Sequence, residues 1–94
     1  MPSANAALAE HFNKTISLLE VADSNCIFFQ LSGVTEANPV KPNGAWFAIE
    51  RNQGNAKEMY ALLLSVRLSG NTLARVLTTG TLACGEATVG TIDL

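Results

Sequence analysis

Between residues 14 and 22, "KTISLLEVA", apolar and polar side chains alternate, first as Ile16/Leu18 and then as Leu19/Val21. Period-two alternation predicts a strand, and the slip of phase inside it predicts a bulge or strong bend. The turn cluster Asp23-Ser24-Asn25 follows. A second strand runs over 26–33, with Ile27, Phe29 and Leu31 on one face. Residues 34–44 hold two prolines and a Pro-Asn-Gly turn signal, and read as the longest loop. "AWFAIER" (45–51) predicts a third strand, 71–80 a fourth and 86–94 a fifth. The last two are joined by "GTLACG", and Gly90 shifts the alternation from Ala87/Val89 to Ile92/Leu94. The Ala-rich stretch 3–12 predicts a short leading helix capped by Ser3.

The period changes over residues 54–71. Met59, Leu62, Leu63 and Val66 recur at helical spacing and form one apolar stripe. Asn55 and Glu58 fit a capping box at its start, and Gly70 fits a left-handed residue at its end. Tyr60, Leu64 and Leu68 form a second stripe, turned by roughly a quarter circle at about 100° per residue. One small core needs only one stripe. The second must be covered by another copy of the chain, or by the 34–44 loop of the same chain.

The element order, (α)βββαββ, fits a mainly β fold with one central helix. It suits an OB-fold-like, five-stranded antiparallel Greek-key barrel in a single domain spanning 1–94. A bent first strand agrees, because one strand must serve both sheets of such a barrel. The same order also allows an open α+β sheet with the helix on one face.

Composition sharpens the question of the second stripe. Of the 94 residues 48% are hydrophobic and only 15% charged, below the roughly 25% charged content of ordinary soluble domains. Self-association resolves that excess, since an obligate interface resembles a core cut in half. The net charge of −2 and six scattered basic residues disfavour nucleic acid, which needs clustered cations. No run of about 18 apolar residues suggests a membrane span.

No catalytic arrangement stands out. His11 stands alone, and the pair Glu10/His11 reads as a solvated helix surface. No nucleophile motif, phosphate loop or metal-ligand spacing is present, so neither catalysis nor a cofactor or metal is expected. Asn13-Lys14-Thr15 matches a glycosylation sequon of little specificity. Cys26 and Cys84 are either two buried thiols or one disulfide. As a bridge they would close a loop of about 60 residues, worth roughly 4 kcal/mol in the chain-entropy description.

The stretch 46–94, with its Leu/Ala-rich helix ending "RLSGNTLARV", an alternating strand and a Cys-Gly turn, resembles the B subunits of bacterial one-A, five-B toxins. The likeness is to the subtilase-cytotoxin and pertussis-like branch and its small relatives. The resemblance implies a non-enzymatic OB-fold subunit of a homo-oligomer, a pentamer foremost, that binds cell-surface glycans. In such rings the helices line the central pore and sheet edges pair between neighbours. Tyr60, Leu64, Leu68 and Arg67 would then form the subunit interface. Secreted members carry comparable bridges, so the resemblance favours a Cys26–Cys84 disulfide. The compartment would be secreted or periplasmic if that bridge forms and a leader has been removed, and cytoplasmic otherwise. The family's sugar-contacting residues lie in its N-terminal half, where no motif aligns, and none is carried over.

Phe28 and Trp46 lie on the strand phase opposite to the core residues Phe29 and Phe47. Trp46 with Lys41, Asn43 and Glu36 of the adjoining loop could offer an aromatic face and polar groups to a sugar. Trp46 could equally pack in a subunit interface. Two other functions remain open on sequence: an orphan homo-oligomeric scaffold without a toxin partner, and a single-stranded nucleic-acid binder.

Overall fold

The computed structural model describes residues 8–94. The strands are β1 (Ala9–Lys14), β2 (Ile16–Val21), β3 (Cys26–Leu31), β4 (Phe47–Glu50), β5 (Leu73–Ala83) and β6 (Glu86–Asp93). One helix, α1 (Ala56–Ser69), lies between β4 and β5. The six strands form one sheet in the order β1-β5-β6-β4-β3-β2. Its two outer strands are consecutive in the chain and separated only by Thr15. That is feasible only if the sheet curls until its edges approach, which makes a barrel of the OB type and rules out the flat, open alternative. Asn13, at φ 55°, turns the chain at this corner.

β1 corrects the leading helix expected over 3–12. Residues 1–7, with the proposed Ser3 cap, lie outside the described residues, and the remainder is strand paired with β5 from Ala9↔Thr78 to Lys14↔Leu73. Alanine's helix propensity is a weak preference that pairing overrides. His11 consequently points inward rather than lying on a solvated helix face. Its Nε2 donates to the Ala37 carbonyl at 2.8 Å, and its ring meets Phe47 edge-on at 5.2 Å.

The ladder breaks beside the predicted phase slips, and at one further place that the sequence did not mark. β2 shifts register against β3 between Ile16 and Leu18. β5 shifts against β6 at Leu77/Thr78, across from Gly90, and again between Thr78 and Leu82. Gly80, at φ 86°, lies inside that second irregularity, beyond which the tip of the β5–β6 hairpin continues to Ala83 and Glu86.

The principal core gathers Phe29, Leu31, Phe47, Ile49, Leu73, Val76 and Val89 from the strands with Met59, Leu63 and Val66 from the helix. Phe29 and Phe47 stack at 4.9 Å. The first helical stripe is therefore buried as expected, with Leu62 partly buried beside it. Each large apolar side chain so buried stabilises the fold by about 1.5–3 kcal/mol. Gly70 ends α1 at φ 75°, its N–H bonded to the Val66 carbonyl. The capping box does not form. Asn55 holds the N-cap position without a side-chain cap bond: its Oδ1, the atom that would accept one, receives Gln53 Nε2 at 3.5 Å, and its Nδ2 donates to the Gly90 carbonyl at 3.2 Å. Gln53 Nε2 likewise donates to the Val89 carbonyl, so the start of the helix is tied to β6.

Candidate functional site

The outer face of the sheet, away from the principal core, carries a row of residues aligned across four strands. Glu20 of β2 stands opposite Phe28, Phe28 opposite Ala48, and Ala48 beside Thr88. Next to this row, Trp46 immediately precedes Phe47 and Glu86 immediately precedes Ala87, and Phe47 and Ala87 are themselves partners in the parallel β4–β6 pairing. Strand alternation thus puts all four side chains on the same surface. Glu20, Phe28, Trp46 and Glu86 line an open cleft of about 320 Å³. The Phe28 and Trp46 rings stand 6.3 Å apart at 77° and form its corner. Both are half-buried and lie off the core phase of their strands.

Lys41 reaches this cleft from the 34–44 loop. Its Nζ donates to Glu86 Oε1 and to the Gly85 carbonyl, both at 2.8 Å. Glu86 is thereby held in place and its charge compensated, while Glu20 leaves the cleft with an excess of negative charge. Of the four residues proposed from sequence, Trp46 lines the cleft and Lys41 braces one wall. Asn43 and Glu36 do not line it. They meet each other in the loop, where the Asn43 N–H donates to Glu36 Oε2 at 3.2 Å and Asn43 adopts φ 62°. Glu20 and Glu86 were missed. Their only signal was strand phase, which becomes informative once Ala48 and Thr88 are known to be neighbours.

Beneath the cleft lies a second, smaller core of Cys26, Ala48 and Ala83, with Phe28 packed against it. Cys26 and Cys84 are joined as a disulfide, which ties the start of β3 to the tip of the β5–β6 hairpin. Cys26 is fully buried, whereas Cys84 is exposed and adopts φ 52°.

The helix carries the other candidate surface. Leu64 is 39% and Leu68 79% exposed, so the 34–44 loop does not cover the second stripe. Arg67 beside them is also exposed. Tyr60 is half-buried and continues the stripe into a groove lined by Val21, Ile27, Ala56, Arg51 and Lys57. Arg51 is occupied there, its guanidinium donating to the Ser24 and Ala22 carbonyls. On the far side of the barrel, Arg75 bridges Glu10 and Asp93 across β1, β5 and β6. Hydrogen bonds to these two carboxylates raise its pKa above the usual arginine value.

Among the described residues no group of His, Cys, Asp and Glu is placed to hold a metal ion. Among them also, no helix is long and apolar enough to cross a membrane.

No protein-family profile matches the chain. No curated protein matches it either. Among solved structures, the chain is similar to the crystal structure of a cholera toxin-like B-subunit from Citrobacter freundii, with a TM-score of 0.66 and 14% sequence identity. The alignment covers 93% of this chain and 85% of that one. At this identity the likeness is one of fold. The resemblance read from residues 46–94 thus extends, as architecture, over nearly the whole chain, which is built like a toxin B subunit.

Proposed function

We propose that this chain is a non-enzymatic OB-fold subunit that assembles with copies of itself, a ring of five being the leading arrangement, and binds a cell-surface glycan in the Phe28–Trp46 cleft. The observation that carries the reading is the helix with one stripe sealed in the core and the other, Leu64 and Leu68, left in solvent. Contact with a neighbouring subunit would remove those side chains, together with Tyr60 and Arg67, from water. Assembly would also occupy the outer edge of β2, where Leu18 and Val21 are 48% and 56% exposed. A bare apolar edge strand invites uncontrolled pairing, and closure into a ring satisfies it.

An aromatic corner flanked by carboxylates suits a sugar, whose apolar face stacks on a ring while its hydroxyls donate to acidic oxygens. Because Lys41 compensates Glu86, it is Glu20 that leaves the cleft negative, which favours neutral over acidic saccharides and opposes phosphate, arguing against nucleic acid as ligand. The disulfide fits an oxidising compartment, secreted or periplasmic.

Light scattering of the native particle tests the assembly. The wild type is expected to exceed the mass of one 9.9 kDa chain several-fold. Leu64→Asp is expected to reduce it to a single chain while the far-UV spectrum persists. A monomeric wild type, or an undiminished mass in the variant, refutes the assembly. An orphan scaffold is the outcome if the particle is oligomeric and no saccharide binds.

A further inference from the structure

We infer that the Phe28–Trp46 cleft selects a saccharide bearing a free, protonated amine. The inference deepens the glycan reading above and rests on it.

Glu20 carries the selection. It stands on β2 directly across from Phe28, and cross-strand partners have Cβ atoms about 4.5–5.5 Å apart. Its carboxylate enters none of the ion pairs among the described residues. Lys41, the cation that reaches the cleft, is committed to Glu86 Oε1 and the Gly85 carbonyl. Arg51 is held by the Ser24 and Ala22 carbonyls, and Arg75 by Glu10 and Asp93. At the cleft two carboxylates therefore face one ammonium, and the net negative charge left over sits on Glu20. Pairing along the outer edge of β2 does not consume it, because edge pairing uses backbone groups in the plane of the sheet and Glu20 projects from the face.

The aromatic walls favour the same sign of charge. The face of an aromatic ring is its negative side and attracts a cation. The Phe28 and Trp46 rings stand at 77° to one another beside Glu20, so a positive group in this corner meets ring and carboxylate together. A neutral sugar gains the stacking alone, and an anionic one is repelled by Glu20. A primary ammonium also donates N–H to the carboxylate, in a charge-assisted hydrogen bond that a quaternary ammonium cannot make. The cleft, of about 320 Å³, suits a single sugar ring. Glu86 Oε2 takes part in no hydrogen bond among the described residues and is available to a ring hydroxyl, while Oε1 is engaged by Lys41. An amino sugar thus answers every feature of the cleft: its ring stacks, its amine meets Glu20 and a hydroxyl meets Glu86.

The test compares ligands that differ only in the substituent beside the anomeric carbon. The native particle is titrated with methyl glucoside, methyl glucosaminide and methyl N-acetylglucosaminide, at about pH 6, where an amine of this kind is protonated. Choline is titrated in parallel, and binding is read on the ligand by NMR. The glucosaminide is expected to bind about five-fold more tightly than the glucoside, the scale of one partly exposed ion pair. The N-acetyl sugar, which has lost the charge, should gain nothing over the glucoside. Glu20→Gln keeps the shape of the side chain and removes its charge. It is expected to erase the five-fold advantage and leave glucoside binding as it was. Should that variant fold poorly, the ranking of the three glycosides on the wild type still decides. Equal binding of amine and neutral sugar, or an advantage that survives Glu20→Gln, overturns the inference and leaves the glycan reading intact. Choline binding as tightly as the glucosaminide shows that charge is read without the sugar, and also overturns it. Absence of binding by all three glycosides defeats the glycan reading itself, and the inference with it.

Discussion

Replacing Thr78 by valine tests how the 34–44 loop is moored. Thr78 is fully buried on β5, and its hydroxyl is shared by three segments. Oγ1 accepts from Asn38 Nδ2 at 2.7 Å and from the Ala9 N–H at 3.2 Å, and donates to the Ala9 carbonyl at 3.3 Å. Asn38, itself 1% exposed, also receives the Val40 N–H on its Oδ1 and so sets the path of the loop toward Lys41. Valine keeps the volume but offers no acceptor. The Ala9 groups belong to a partly exposed residue and water can replace much of their bond. The Asn38 amide is sealed in and loses its Thr78 acceptor outright, at a cost of about 1–3 kcal/mol. The added methyl returns less than about 1 kcal/mol. At mid-range a net loss of roughly 1–2 kcal/mol follows, which in a domain of this size lowers Tm by about 4–16 °C. Thermal unfolding followed by dichroism, at one fixed protein concentration, measures it. Thr78→Ser retains the hydroxyl and should show no more than about half the drop, the part due to a lost buried methyl. A valine variant melting within about 2 °C of the wild type, or a serine variant falling as far as valine, would refute the reasoning.

Trp46→Ala is expected to abolish saccharide binding without altering the native mass, and the wild type should prefer a neutral glycan to its sialylated counterpart on an array; the reverse preference would contradict the acidic rim. Gly70→Ala meets no steric obstacle but forces alanine to φ 75°, so it should destabilise the fold by about 1–2 kcal/mol in denaturant melts. Gly44→Ala would place a Cβ 2.8 Å from Lys41 Cγ and push the lysine stem away from Glu86. The expected result is faster acylation of Lys41, read by mass spectrometry, with Tm little changed.

The alternation slips at Leu18/Leu19, within a residue or two of the bulge between Ile16 and Leu18, and at Gly90, the buried stripe Met59-Leu63-Val66 and the left-handed Gly70 were all readable, because each is a local consequence of side-chain period or backbone conformation. What failed was decided at a distance. Ala9 to Lys14 form a strand because β5 supplies a partner, and Ala-rich composition carries no sign of that. Asn55 makes no capping bond: its Oδ1 receives Gln53 and its Nδ2 reaches a β6 carbonyl. The cleft was half legible. Phe28 and Trp46 were set apart by phase alone, and Lys41 by its place in the adjoining loop. Glu20 and Glu86 join them only through the β2–β3–β4–β6 strand order, which no single segment encodes. Asn43 and Glu36 are close in sequence to Trp46, yet the loop turns them toward one another.

The pairing of β1 with β5 joins Ala9 to Thr78 across nearly the length of the chain, and β4 meets β6 only after α1 has been threaded between them. The β2–β3 and β5–β6 hairpins, by contrast, are local. Loop-closure entropy makes such distant contacts the last to form. Refolding should accordingly show two hairpins formed before the seam at β1 closes, and mutations along that seam should hasten unfolding more than they retard folding.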